Sequence, residues 1–157
     1  MAQIERYEQA WTAEEADLLH SVSDKVHIGG LSALVHYGLT TAIPGKYHVY
    51  ADPKDVAAVQ AFCDGKTRFV KVMPRAASNM KDVVEGVSRG KKVRISNVYR
   101  AIVEMLLAAV DDDCKKETVF MVKAQKAIPV GRIVAAAYPF GDAARRRVEA
   151  YFVSCKA

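Results

Sequence analysis

Strand-like patterns are grouped in the middle of this chain, where a single helical pattern interrupts them, and this grouping constrains the fold more than any other feature. Residues 46–51 alternate as a strand does, and further strands are predicted at 67–73, 82–87 and 92–96. Residues 88–91 (Ser-Arg-Gly-Lys) join the last two strands as a hairpin. Helical patterns flank this stretch. The chain therefore predicts an α+β fold, with a central, mostly antiparallel sheet of about four to five strands, flanking helices and a helical C-terminal part.

The first two predicted helices are set by their end signals. Thr12 and Glu15 have the spacing of a capping box, which starts a helix at about 12–23. The segment Ile28–Leu39 has two glycines before a short apolar run, and Gly38 stands where a left-handed terminator is needed. We expect a buried helix there.

The later helices follow the same logic. Asp52 and Pro53 provide an N-cap and a first helical residue for a helix that reaches about Cys63. Asn97 caps a long apolar helix to Val110, which residues 111–113 (three aspartates) should end in solvent. The remaining helices are predicted at about 116–126, 129–137 and 142–155.

Length and composition favour one soluble domain. The chain has 157 residues and is 51% hydrophobic, enough to bury a core without metal or disulfides. We assign residues 1–25 to an N-terminal extension with the first helix, and 26–157 to a single α+β domain. The sequence has no apolar run long enough to span a membrane, its polar and acidic start is unlike a secretory signal, and its three cysteines have no zinc or dithiol spacing. These features favour a cytoplasmic protein.

The net charge of +5 is unevenly distributed along the chain. Residues 1–65 hold 4 basic and 9 acidic side chains, whereas 66–94 hold 9 basic and 2 acidic. Residues 95–113 are acidic again, and 114–157 hold 9 basic and 3 acidic side chains. Such blocks suit a globule with one basic face that attracts polyanions or an acidic partner, but an ordinary solvated surface explains them equally well.

Three segments, in order, resemble the C-terminal domain of AbiEi-type antitoxins. Residues 26–39 are similar to the opening helix of that domain, 93–106 to its central strand and capped helix, and 130–153 to its closing pair of helices. The last pair is interrupted by an aromatic-glycine break at Phe140-Gly141. The motif residues of the opening helix are Ser32, Ala33, Leu34, His36 and Gly38. The likeness spans most of residues 26–153.

The resemblance implies a function. AbiEi-type proteins are antitoxins and transcriptional regulators that accompany nucleotidyltransferase-like toxins in type IV toxin–antitoxin and phage-defence systems. Members of the family usually begin with a DNA-binding winged helix-turn-helix, but only about 25 residues precede the matching part here, too few for that unit. The resemblance therefore implies a non-catalytic antitoxin-like regulatory domain that counteracts such a toxin and uses no cofactor. The alternative is a stand-alone DNA- or RNA-binding regulator without a toxin partner.

Nucleic acid would be contacted through basic side chains in two groups. One of these groups consists of three consecutive arginines on a predicted helix. Their side chains fan over about 200°, so at most two of them can reach one phosphate strand. Phosphate contacts of this kind give affinity without sequence information. The first group is Arg68, Lys71, Arg75, Lys81, Arg89, Lys91, Lys92 and Arg94, and the second is Arg145, Arg146 and Arg147.

Catalytic and metal-binding patterns are weak in this sequence. His27 and His36 lack a second ligand at helical spacing, which favours packed or capping histidines. The three aspartates at 111–113 lack the glycine and spaced oxygens of a calcium loop. A metal-dependent nuclease is the third hypothesis, and the check on it is whether any two of these aspartates, Glu117 and Lys123 converge in space. We expect a protein that is not an enzyme and binds no metal; the sequence does not set its oligomeric state.

Overall fold

The computed structural model describes residues 26–40, 46–66, 70–74, 80–88, 91–108 and 112–154. In these residues five strands form one sheet in the order β3-β2-β1-β5-β4. The strands are β1 (His27–Ile28), β2 (Tyr47–Ala51), β3 (Val70–Pro74), β4 (Val83–Ser88) and β5 (Lys91–Ser96).

Six α-helices accompany the sheet in the described ranges, and the last three make up the C-terminal part. None of these helices is long and apolar enough to cross a membrane. The α+β prediction with a helical C-terminal part is confirmed. The helices are α1 (Gly30–Tyr37), α2 (Val56–Lys66), α3 (Val98–Leu107), α4 (Asp112–Lys123), α5 (Val130–Ala137) and α6 (Asp142–Ser154), with short 3-10 segments at Pro53–Asp55 and Tyr138–Phe140.

In the described residues the sheet is mixed, with two antiparallel and two parallel pairings, so it contains more parallel pairing than the sequence predicted. β1 pairs with β2, and β4 with β5, in antiparallel register, whereas β1–β5 and β2–β3 are parallel. The parallel pairing of β2 with β3 follows from α2, because a crossover helix returns the chain so that the next strand runs in the same direction. The predicted hairpin agrees with the pairing of Ser88 with Lys91, while residues 89–90 lie outside the described part.

Two predicted helix ends are confirmed by local geometry. Gly38 has φ 72° and its N–H reaches the carbonyls of the last turn of α1. The side chain of Asn97 accepts a hydrogen bond of 2.9 Å from the backbone N–H of Arg100 and so caps α3.

Two other features differ from the prediction, and one predicted helix lies beyond the described residues. Ile28, which precedes the two glycines, belongs to β1, a strand that was not predicted, because the sheet is completed there between β2 and β5. Asp112 and Asp113 start α4 instead of following a helix end, in the first turn, where free backbone N–H groups favour carboxylates. The helix predicted at 12–23 falls in residues outside the described ranges.

The core lies between the sheet and α3. All residues from Arg100 to Leu106 in α3 are buried, and this helix packs against α1, α4, α5 and α6. In β2 and β3, alternate residues such as Val49 and Val70 bury their side chains completely. The central position of α3 brings its polar residues inside the protein.

Candidate functional site

Two ionisable residues lie in the middle of the otherwise apolar helix α3. Arg100 is 1% exposed and Glu104, one turn later, is 3% exposed. Arg and Glu are almost never buried to this degree unless they are paired. The environment of Glu104 is therefore the first candidate for a functional site.

The Glu104 carboxylate accepts four hydrogen bonds, two on each oxygen. Oε1 accepts from the Ser96 hydroxyl at 2.6 Å and from the backbone N–H of Gly30 at 3.1 Å. Oε2 accepts from Nε2 of His27 at 2.9 Å and from Nε of Arg100 at 3.3 Å. We call these five residues the Glu104 cluster. It links β1, the start of α1, β5 and α3.

Two glycines let the chain approach the carboxylate closely. A Cβ on Gly29 would stand 2.5 Å from Glu104 Oε1, and a Cβ on Gly30 would stand 2.5 Å from the Tyr50 hydroxyl. Gly30 also has φ +53°, in the left-handed region that glycine tolerates best. The glycine pair is therefore required by the geometry around Glu104.

Tyr50 covers the cluster on the side of β2. Its ring stacks on that of His27 with centroids 5.5 Å apart and an angle of 16° between the planes. The Tyr50 hydroxyl and Nδ1 of His27 are buried, and neither has a hydrogen-bond partner within the described part of the chain. On the other side, Nη1 of Arg100 donates to the carbonyl of Lys81 at 2.6 Å, and its guanidinium lies 5.3 Å from the centre of the Phe140 ring.

The electrostatics of the cluster favour an ionised carboxylate. Burial alone would raise the pKa of Glu104, but hydrogen bonding and electrostatic attraction from His27, the charge of Arg100 and the Ser96 hydrogen bond together lower it. Burial, followed by the nearby Glu104 charge, raises the pKa of Tyr50 well above its usual value. Glu104 is thus held as a carboxylate that is paired with Arg100, and both of its oxygens are occupied by protein donors.

The residues that carry the AbiEi resemblance in α1 have structural positions. Ala33 and Leu34 are completely buried, and the hydroxyl of Ser32 accepts a 2.7 Å hydrogen bond from the backbone of β2. His36 and Gly38 are exposed at the end of the helix. Four of the five thus either pack, bond or terminate α1.

Only part of the first predicted basic group can be placed. Lys71 on β3 and Lys81 before β4 are exposed, and Arg94 on β5 is half-buried with its Nε donating to the carbonyl of Val26 at 3.0 Å. Two of these three side chains are therefore exposed, whereas the third, Arg94, is partly used inside the protein. Arg68, Arg75 and Arg89 lie outside the described residues, as do the side chains of Lys91 and Lys92.

The second basic group lies on α6, and its three members have different surroundings. Arg146 and Arg147 are exposed. Arg145 is half-buried, pairs with Glu149 one turn later, and places its guanidinium 5.2 Å from the centre of the Tyr138 ring. Two of the three arginines are thus open to an anionic partner.

The residues named for a nuclease centre lie along α4. Asp113 and Glu117 are one turn apart, and Lys123 is at the other end of the helix. In the described part of the chain, no group of three or more His, Cys, Asp or Glu side chains could hold a metal ion. Asp111 lies outside that part.

Sequence reasoning missed the Glu104 cluster. A usable signal was present, because Glu104 interrupts a run of apolar residues and stands four residues after Arg100, at the spacing of a helical ion pair. His27 and Gly30 come from distant parts of the chain, and Ser96, eight residues before Glu104, lies at the end of a strand; none of these contacts has a local signature.

Comparison with known proteins leaves the family open: no family model matches the chain, and no curated protein matches it.

Proposed function

We propose that this chain is an antitoxin-like regulatory domain that counteracts a nucleotidyltransferase-like toxin of a type IV system in phage defence. It acts by binding and performs no chemistry of its own. The observation that supports the proposal best is the packing of the segments that resemble AbiEi-type proteins.

Those segments are far apart in sequence but adjacent in space. The helix of the first segment, α1, packs on α3 of the second, and α3 packs on both α5 and α6 of the third. The Glu104 carboxylate in α3 also accepts a hydrogen bond from the backbone N–H of Gly30 at the start of α1. A likeness made of three separate pieces is thus carried by one packed unit, which is what a shared fold requires.

The bonding of the Glu104 cluster supports a binding role over catalysis. A general base must reach a substrate proton within hydrogen-bonding distance. The Glu104 oxygens are instead engaged by four protein donors and lie in the core.

A reducing cytoplasm is the proposed location, in keeping with thiols at Cys63 and Cys114.

One exposed side chain offers a contact for a protein partner. Phe120 on α4 is 75% exposed, and Lys116 and Lys123 stand one turn before and one turn after it on the same side of the helix. An exposed aromatic ring between two cations suits an apolar pocket with an acidic rim.

Co-expression tests the proposal. The chain is produced together with the product of the adjacent gene, and host growth is compared with that of cells producing the neighbour alone. Restored growth is expected. A version of the gene with an early stop codon is the control, because it makes the transcript without the protein.

Two results contradict the proposal. A neighbour that is harmless alone leaves no toxin to counteract, and a toxic neighbour that still stops growth shows that this chain does not restrain it. If growth is restored, co-purification of the wild-type chain and of Phe120→Ser then distinguishes direct binding of the toxin from restraint without a stable complex.

A further inference from the structure

We infer that the exposed side of α5, together with Tyr138 at its end, binds single-stranded nucleic acid by base stacking. This α5 surface consists of Gly131, Arg132, Ala135 and Tyr138. The inference is independent of a toxin partner, so it can fail while the proposed function holds, and the reverse.

The four residues share one side of the helix. At 100° per residue they fall within about 120° of arc, and Tyr138 keeps helical backbone angles. All four residues are exposed, and Tyr138 is 60% exposed. Arg132 and Tyr138 are separated along the helix axis by about 9 Å. Gly131 and Ala135 have small side chains or none, so the surface between Arg132 and Tyr138 is not obstructed.

Arginine–tyrosine contacts stiffen both ends of the α5 surface. The guanidinium of Arg132 lies 4.6 Å from the centre of the Tyr99 ring, and that of Arg145 lies 5.2 Å from the centre of the Tyr138 ring. A guanidinium held on an aromatic ring has already lost part of its rotational freedom. Binding therefore orders these side chains at a lower entropic cost than it would order unsupported arginines.

The available charge is positive. Arg145 is balanced by its ion pair with Glu149, so it serves mainly to hold the Tyr138 ring. Arg132 is exposed and can face a phosphate, and Arg146, which follows Arg145 on α6, is exposed as well. Asp142 is the other exposed carboxylate at this end of α6, and it limits the surface to a few phosphate contacts.

This combination fits unpaired nucleotides better than a duplex. Every base has a π-face that can stack on a tyrosine ring, but in a duplex those faces are covered by neighbouring base pairs. A base on Tyr138 and a phosphate at Arg132 use the two ends of the surface. Because stacking and phosphate contacts carry little sequence information, we expect little base preference.

Fluorescence anisotropy with a short labelled oligouridylate, and with a duplex of equal length, tests the inference. Tyr138→Ala should weaken binding of the single strand roughly tenfold, whereas Tyr138→Phe keeps the ring and should stay close to wild type. Arg132→Gln should reduce the slope of log K against log salt concentration by about 0.7. Val153→Ala, which alters another exposed apolar side chain, on α6, is the matched control.

Circular dichroism confirms that each variant is folded, which is expected because the side chains involved are exposed. The inference is overturned if the wild-type chain binds no oligonucleotide, if it prefers the duplex, or if Tyr138→Ala binds as tightly as wild type.

Discussion

At the scale of single residues, Glu104 is the most consequential side chain of the described structure. Removing a carboxylate and a guanidinium from water is costly, and only good geometry with further hydrogen bonds offsets that cost. Here Ser96 and the Gly30 backbone supply those additional bonds. The carboxylate therefore depends on all its donors being in place, and each donor depends on the charge.

Replacing Glu104 with glutamine should destabilise the fold by about 3 to 5 kcal/mol. Both carboxylate oxygens face donors, so the amide NH₂ of glutamine would point at a donor in either orientation. The substitution also leaves the Arg100 charge buried without its counter-ion. Urea unfolding followed by circular dichroism gives the free energy of unfolding.

Glu149→Gln provides the comparison for Glu104→Gln. Glu149 also pairs with an arginine four residues away, but its side chain is 40% exposed, and exposed pairs contribute about 1 kcal/mol or less. Equal losses in the two variants would show that the Glu104 cluster does not stabilise the fold in the way its geometry indicates.

At the scale of elements, α1 is a short helix bounded by two glycines in left-handed conformation. Gly30 at its start has φ +53° and Gly38 at its end has φ +72°. Their surroundings differ, because a Cβ on Gly30 would meet the Tyr50 hydroxyl at 2.5 Å, whereas nothing lies within 4 Å of a Cβ on Gly38. The pair separates backbone strain from crowding.

Gly38→Ala should cost about 1 to 2 kcal/mol, because alanine is strained in this conformation. Gly30→Ala adds crowding against Tyr50 and should cost about 2 to 5 kcal/mol. Thermal unfolding of both variants measures the difference. A Gly30→Ala loss no greater than that of Gly38→Ala would contradict the close packing at the start of α1.

Elements with local signals could be predicted from the sequence. Asn97 marks the start of α3 and Gly38 the end of α1, because each satisfies backbone groups within its own helix. β1 was missed, since two residues are too short to show a strand periodicity. Its role depends on β2 and β5, which pair with it from distant parts of the chain.

The candidate site was less predictable than the fold. Glu104 and Arg100 share a helix, and their spacing could have indicated an ion pair. His27 joins them because β1 lies beside β5, and the pairing of this two-residue strand with β5 was not predicted. Ser96 joins them from the end of β5, eight residues before Glu104. The arginine–tyrosine contacts around α5 likewise join different helices.

At the scale of the whole molecule, buried titratable groups limit stability on both sides of neutrality. The pKa of Tyr50 is raised in the folded protein. Its contribution to the free energy of unfolding is therefore complete below the ordinary tyrosine pKa of 10.0 and is lost as the pH rises through the folded-state pKa. Glu104 has a lowered pKa, so its contribution is lost as the pH falls through that lower pKa. His48 adds a further transition on the acidic side.

Burial, and then the charge of Lys71 in the adjacent register position, lowers the pKa of His48 from 6.5 to about 4. Between these values the unfolded chain takes up a proton that the folded chain does not, so the free energy of unfolding falls as the pH falls, by about 1 kcal/mol per pH unit at most. His48→Gln should remove this slope and leave the loss at lower pH, where Glu104 titrates. Denaturation series across this window measure both chains, and NMR titration of His48 gives its pKa. The substitution keeps the hydrogen bond from the backbone N–H of residue 48 to the Ser32 hydroxyl, so it tests the imidazole alone. An unchanged slope in the variant would therefore assign the acid sensitivity to other groups.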